Sequence, residues 1–222
     1  MQLKIIYSFE NDLKRILDTI REIDWFNEKG YRVELPLEID ISKIKEYSEQ
    51  DVSFILKNKW SDVEYKKHEI KILEEWQKYS KRLEKDLNTA GLKPAKEYIV
   101  FLTRYGVGGS YDLQGNNIVT LNVSYYERNT NRSLIVALLH EIVHINIEEY
   151  IKQNQISHEQ KEKIVDMIMK KSFADDFPQE DFLQKWLYTK SLSEKSESIF
   201  NEFYPDVRSI IQKLGILGSG TI

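Results

Sequence analysis

At 222 residues the chain is long enough to bury one sizeable core, or a catalytic domain with a smaller helical appendage. Its charge is nearly balanced, 32 basic against 36 acidic residues for a net −4, which leaves no electrostatic footprint of nucleic-acid binding. Cysteine is absent, which excludes a disulfide framework, a thiolate metal site and a cysteine nucleophile, so any metal must be held by histidine, carboxylate and water.

The opening residues MQLKIIYSFENDLKR contain only a short apolar run before charge, unlike a signal peptide, and no stretch is apolar enough to span a bilayer. The expectation is a cytoplasmic chain without a membrane segment. Leu3 to Phe9 alternates in part and reads as a strand, after which Ser8 or Asn11 can cap a helix through Leu13, Ile16, Leu17, Ile20 and Ile23, ending near Lys29-Gly30. Ser42 opens a second helix through Tyr47, Val52, Ile55 and Leu56, and Asp62 starts a long charged helix that stops at Gly91 and Pro94. Residues 1–93 thus read as a mainly helical N-terminal region.

Glu97 to Tyr105 and Asn117 to Val123 are strands by their apolar and β-branched content. Gly106, Gly108 and Gly109 between them match neither a GxGxxG nor a lysine-bearing phosphate loop and read as turns, with Gly115-Asn116 a second turn. The expected sheet is small, antiparallel or mixed, with these two strands paired antiparallel and Gly108 to Leu113 the first candidate for an exposed edge.

The most informative stretch follows. From Asn131, a candidate N-cap, to Ile151 there is no Gly or Pro, and Leu134, Leu138, Ile142 and Ile145 recur at intervals of four and three, the spacing of a helix. That period places His140 and His144 one above the other on a single face, close enough to bind one ion, with Glu141 at the edge of the face. Two histidine ligands and a glutamate able to take a proton from water form the HExxH arrangement of zinc metallopeptidases. Polar groups on a helix otherwise made of Leu, Ile, Val and Ala must be paired or bind something.

A catalytic zinc needs a third protein ligand. Downstream of His144 stand Glu148, Glu149, His158, Glu159, Glu162 and Asp166. Glu148 continues the histidine face but lies a turn beyond the pair on the same rod, so a second helix supplies the third corner more naturally. Ser157 caps such a helix with Gln160 at the capping-box position, and Glu162 and Asp166 share one face of it.

With these residues in place the chain resembles the gluzincin, thermolysin-like group of zincin metallopeptidases, and within it the small members. Lys161 stands where that group usually has Asn. The resemblance covers about residues 97–171. It implies His140, His144 and Glu162 as ligands of Zn²⁺, Glu141 as general base, and Asp166 supporting the first histidine; Glu148 stays as runner-up ligand. His158 or Tyr111 could steady an oxyanion, as could Tyr150. The implied fold is α+β and zincin-like, a small sheet packed on the HExxH helix, with residues 94–222 as the metallopeptidase domain and a helical C-terminal part.

That part reads as helices over Glu180–Tyr188, Glu194–Phe203 and from Pro205 to Gly215, with Trp186 or Phe200 as candidate pocket residues and a frayed end from Gly218. The expected function is a zinc-dependent peptidase acting on a peptide or protein, with no nucleic-acid or membrane partner; no feature of the sequence specifies an oligomeric state. The alternative is a zincin scaffold that keeps metal but serves as a non-catalytic sensor or interaction module.

Overall fold

The structure, a computed structural model, describes residues 1–128, 133–178 and 190–218. The elements run β1 (Gln2–Ile6), α1 (Phe9–Arg21), α2 (Ile23–Glu28), a 3-10 helix (Ile41–Glu46), α3 (Glu49–Lys57), α4 (Val63–Thr89), β2 (Glu97–Thr103), β3 (Gly109–Tyr111), β4 (Ile118–Asn122), α5 (Val123–Arg128), α6 (Leu134–Gln153), α7 (His158–Phe173), α8 (Lys190–Phe203) and α9 (Val207–Gly218). The protein is α plus β, mostly helical, with one four-stranded mixed sheet in the order β1-β2-β4-β3. No helix among the described residues is long and apolar enough to cross a membrane.

Ser8 caps α1 by accepting from the Asn11 N–H at 3.2 Å, but the single helix expected to run to Lys29 breaks at Glu22 into α1 and α2. The expected helix start at Ser42 also moves. Asp40 caps the 3-10 turn, and α3 begins after Ser48, whose hydroxyl forms a full capping box with Asp51.

The pairing of β2 with β4 corrects the antiparallel expectation: the two are parallel, with Ile99 opposite Ile118 and Thr103 opposite Asn122. The chain leaving β2 passes beyond the place of β4, forms β3 on the outside, and turns back through Gly115 (φ 79°) and Asn117 (φ 54°), so that β4 is inserted between them. Asn122 fixes this crossing, its N–H donating to the Gly108 carbonyl and its Nδ2 to the Gly106 carbonyl. β3 is therefore an edge strand, and β1, brought in by the crossover through α1–α4, is the other edge.

Tyr98, Val100 and Leu102 of β2 and Val119 and Leu121 of β4 alternate onto one fully covered face, packed with α4, α6 and α7 in the main apolar cluster. Because β1 belongs to the sheet and α4 to this core, the regions on either side of residue 93 are built into one another. A second cluster joins α1, the 3-10 helix and α3 through Ile16, Ile20, Ile44, Val52 and Leu56. It is tied to the sheet where Thr103 Oγ1 donates to Asp12 Oδ1 at 2.6 Å and the Tyr65 hydroxyl donates to the other oxygen.

α6 lies at the centre, with Ile135, Leu138, Leu139, Ile142, Val143 and Ile147 wholly buried. Each such side chain contributes about 1.5–3 kcal/mol by leaving water. That sum is what lets the same helix carry buried polar side chains at a cost of about 2–7 kcal/mol each where they are unbonded. Ser133 caps α6 through the Ile135 N–H; the candidate cap Asn131 lies outside the described residues.

The connection from α6 to α7 is short. Asn154 ends α6, Gln155 takes a positive φ, and Ser157 caps α7 with the expected box: its hydroxyl accepts from Gln160 N–H, and Gln160 Oε1 accepts from Ser157 N–H. Gly215 does not end the last helix as expected. It lies within α9, where a Cβ would stand 2.7 Å from the Asn154 carbonyl oxygen, so the glycine serves close packing against the end of α6. The expected helix over 180–188, Trp186 and the residues after Gly218 lie outside the described residues.

Candidate metal centre

His140 and His144 occupy successive turns of α6 and Glu162 the second turn of α7. His144 meets Glu162 and His140 approaches Asp166, so the contacts close back toward the Ser157 connection and the two helices run antiparallel. Three ligand atoms converge: His140 Nε2 and His144 Nε2 are 3.0 Å apart, and each lies 3.3 and 3.2 Å, respectively, from Glu162 Oε2. Donors about 2.0–2.1 Å from a tetrahedral ion stand roughly 3.3–3.4 Å from one another. The triangle has that size, and two imidazoles with one carboxylate and no sulfur form a donor set for a borderline divalent cation. His140, His144 and Glu162 are thus a group that could hold a metal ion.

Electrostatics follow from this convergence in a buried place. Burial works against a charged His140, but the hydrogen bond and charge of Glu162, with Glu141 and Asp166 nearby, raise its pKa to about 9. Burial lowers His144 to about 4, with the charge of Glu162 only partly opposing it. Burial alone would raise Glu162, yet the two imidazoles hold its carboxyl well below the usual range. Asp166, fully buried, has Oδ1 3.8 Å from His140 Nδ1, which orients the ring by charge at a separation longer than a hydrogen bond.

Glu141 is buried beside the group, and its pKa is raised to about 7, first by burial and then by Glu162, against the charges of His140, Lys161 and Arg15. Its carboxylate lies on the first residue of the edge strand. A Cβ at Gly109 would stand 2.6 Å from Glu141 Oε1, so Gly109, read from sequence as a turn, opens β3 and makes room for the carboxylate.

Glu148, the runner-up ligand, is outside the converging group. It accepts the Tyr111 hydroxyl at 2.5 Å and lies 3.5 Å from Lys152 on its own helix. Tyr111 stacks its ring on His144 with centroids 5.0 Å apart, while its hydroxyl accepts from Lys161 Nζ at 2.9 Å. Burial and the carboxylate of Glu148 raise the phenol pKa. His158 turns Nε2 to the Tyr31 hydroxyl at 2.9 Å and Nδ1 toward Glu162 Oε1 at 3.7 Å. Tyr150 is elsewhere, under the Arg208 guanidinium, and Phe200 is plain core stacked on Tyr204.

No family model, curated protein or solved structure matches this chain. The centre therefore rests on its own geometry. Sequence reasoning missed the N-terminal contribution to it: Tyr31, stacked on the half-exposed Trp25, supports His158 across 127 positions, and Arg15 of α1 reaches the neighbourhood of Glu141. Neither carries a local signal, because each reaches its partner only through the tertiary fold. Gly109 was findable in principle, as one of three closely spaced glycines and a member of the expected edge Gly108 to Leu113.

Proposed function

We propose that this chain is a zinc-dependent peptidase of the zincin type with the gluzincin ligand pattern. The observation that carries the reading is the convergence of His140 Nε2, His144 Nε2 and Glu162 Oε2 within 3.0–3.3 Å of one another, with Glu141 alongside and the edge strand β3 next to it.

Zinc bound there would supply Lewis acidity at the scissile carbonyl and a water that ionises near neutral pH. The remaining steps belong to the chain. Glu141, its pKa near 7, is matched to take the proton of the attacking water and to return it to the leaving amine. Asp166 draws the His140 proton to Nδ1, leaving the Nε2 lone pair directed at the site. The outer edge of β3, unpaired among the described residues, offers backbone groups to an extended peptide, so the substrate class is a peptide or an unfolded protein segment.

Replacing Glu141 by Gln should leave bound zinc unchanged and abolish digestion of a peptide library; a variant that still cleaves would remove the mechanism. The alternative, a metal-holding scaffold with a sensor or interaction role, draws on a specific feature. The Tyr111 hydroxyl is engaged by Glu148 and Lys161 and the His158 ring by Tyr31 and Glu162, which leaves neither turned to an oxyanion. Stoichiometric zinc with no library cleavage would favour that scaffold.

A further inference from the structure

We infer that Arg15 forms an anion subsite of this centre, binding a carboxylate of the peptide on the Glu141 side of the metal. As a statement about cleavage it rests on the peptidase reading; as a statement about binding it does not.

Arg15 projects from α1 toward the loop that follows β2. Its Nε and Nη2 are buried and make no hydrogen bond among the described residues, although the residue as a whole keeps partial contact with solvent. The charges that act on it are those of Asp18, Glu141 and Glu22. Asp18 and Glu22 lie on or beside its own helix, and Asp18 is taken by Arg21 at 2.9 Å. Glu141 is the group of the candidate centre among them.

Gly106 is the wall against which the guanidinium rests. A Cβ there would collide with Arg15 Nε and stand 2.9 Å from its Cζ, and the backbone has φ 81°, so this place accepts only glycine while Arg15 holds its position. The wall is firmly built. Gly106 N–H donates to the Glu34 carbonyl, and its own carbonyl accepts from Glu34 N–H and from Asn122 Nδ2. Three residues further on is Gly109, against which Glu141 lies, so the same short loop seats the guanidinium at one end and the general base at the other.

A guanidinium cannot shed its charge, and in low-dielectric surroundings unbonded N–H groups are unfavourable until an acceptor completes them, an anion being the strongest. Its planar fork matches a carboxylate with two parallel hydrogen bonds. A peptide brings such a group in two ways, as its C-terminus or as an Asp or Glu side chain.

The test uses the full-length chain loaded with zinc and blocked peptides identical except for one group: C-terminal acid against amide, and internal Glu against Gln. Binding is measured by calorimetry in the Glu141→Gln background, where nothing is cleaved, and kcat/KM in the parent. One of the two acid forms should bind about 10- to 100-fold more tightly than its neutral partner, the range of a charged hydrogen-bonded pair. The pair that shows this identifies the source of the carboxylate. Adding Arg15→Met should erase that preference with the neutral peptides unaffected and the melting temperature unchanged or higher, since an apolar side chain of similar length suits the buried place; Arg15→Lys, which keeps charge but not the fork, should lose most of it. Equal binding of acid and neutral peptides overturns the subsite even if the chain is a peptidase, as does a preference that survives in Arg15→Lys or Arg15→Met. A preference that depends on Arg15 in a chain that cleaves nothing upholds the subsite and removes the peptidase reading instead.

Discussion

The ring of Tyr111 lies face to face with that of His144, the centroids 5.0 Å apart and the planes within 8° of parallel. A metal-binding histidine is ordinarily aimed by a hydrogen bond at its second nitrogen. His144 Nδ1 is buried and has none among the described residues, so the stack, clamped at the far end by Glu148 and Lys161, is what orients the ring. Tyr111→Phe keeps the stack and should bind zinc much as the parent does. Tyr111→Ala removes it and should weaken zinc by about 10- to 100-fold, the range for loss of an orienting group. Competition with a chromogenic chelator measures both, and equal affinities for the Phe and Ala variants would show that the stack does not matter.

Glu162 and Glu148 make opposite predictions. Glu162 Oε2 lies within 3.3 Å of both histidine nitrogens, whereas Glu148 is bonded to Tyr111. Glu162→Ala should therefore be purified without metal, as His144→Ala should. Glu148→Ala should keep its metal, with at most the orienting loss expected from releasing Tyr111. Metal retained in Glu162→Ala and lost in Glu148→Ala would reverse the ligand assignment.

Metal and proton compete at His140. In the metal-free chain its pKa is raised to about 9, so at pH 8 it is protonated, whereas His144, lowered to about 4, is already neutral. Binding at pH 8 should release about one proton from His140, besides any given up by a zinc-bound water, and the slope of log affinity against pH should fall by about one as pH passes about 9. Calorimetry in buffers of different ionisation enthalpy counts the protons; none released would contradict a charged His140. The same proton stabilises the metal-free fold. Because the folded value exceeds the ordinary 6.5, that contribution is full below pH 6.5 and is lost as pH rises through about 9.

Ile142 is wholly buried between the two histidines on α6, and Phe54 is 72% exposed on α3. Ile142→Ala should cost about 2–5 kcal/mol in urea unfolding of the metal-free chain, and Phe54→Ala within about 0.5 kcal/mol. Similar costs for the two would mean that α6 is not the centre of the core.

Local chemistry made much of the candidate site's framework readable. An uninterrupted apolar helix fixes the azimuth of His140, Glu141 and His144, and the Ser157–Gln160 box marks where the next helix starts, which puts Glu162 one turn in. Nothing local could show the parallel pairing of β2 and β4, since that depends on β3 passing to the outside of the sheet before β4 is laid down. The break between α1 and α2 was equally hidden, because an apolar period continues through Ile23 while the backbone changes course at Glu22. Tyr31 and Arg15 come to the centre from more than a hundred residues away, and their importance lies in what they pack against rather than in any motif they form.

The most direct test of the account is elemental analysis of the full-length protein after equilibration with trace zinc and removal of excess. His140, His144 and Glu162 converging at 3.0–3.3 Å predict one equivalent of zinc per chain in the parent and in Glu141→Gln, and none in Glu162→Ala. A parent chain that retains no zinc, or a Glu162→Ala chain that retains as much as the parent, would contradict it.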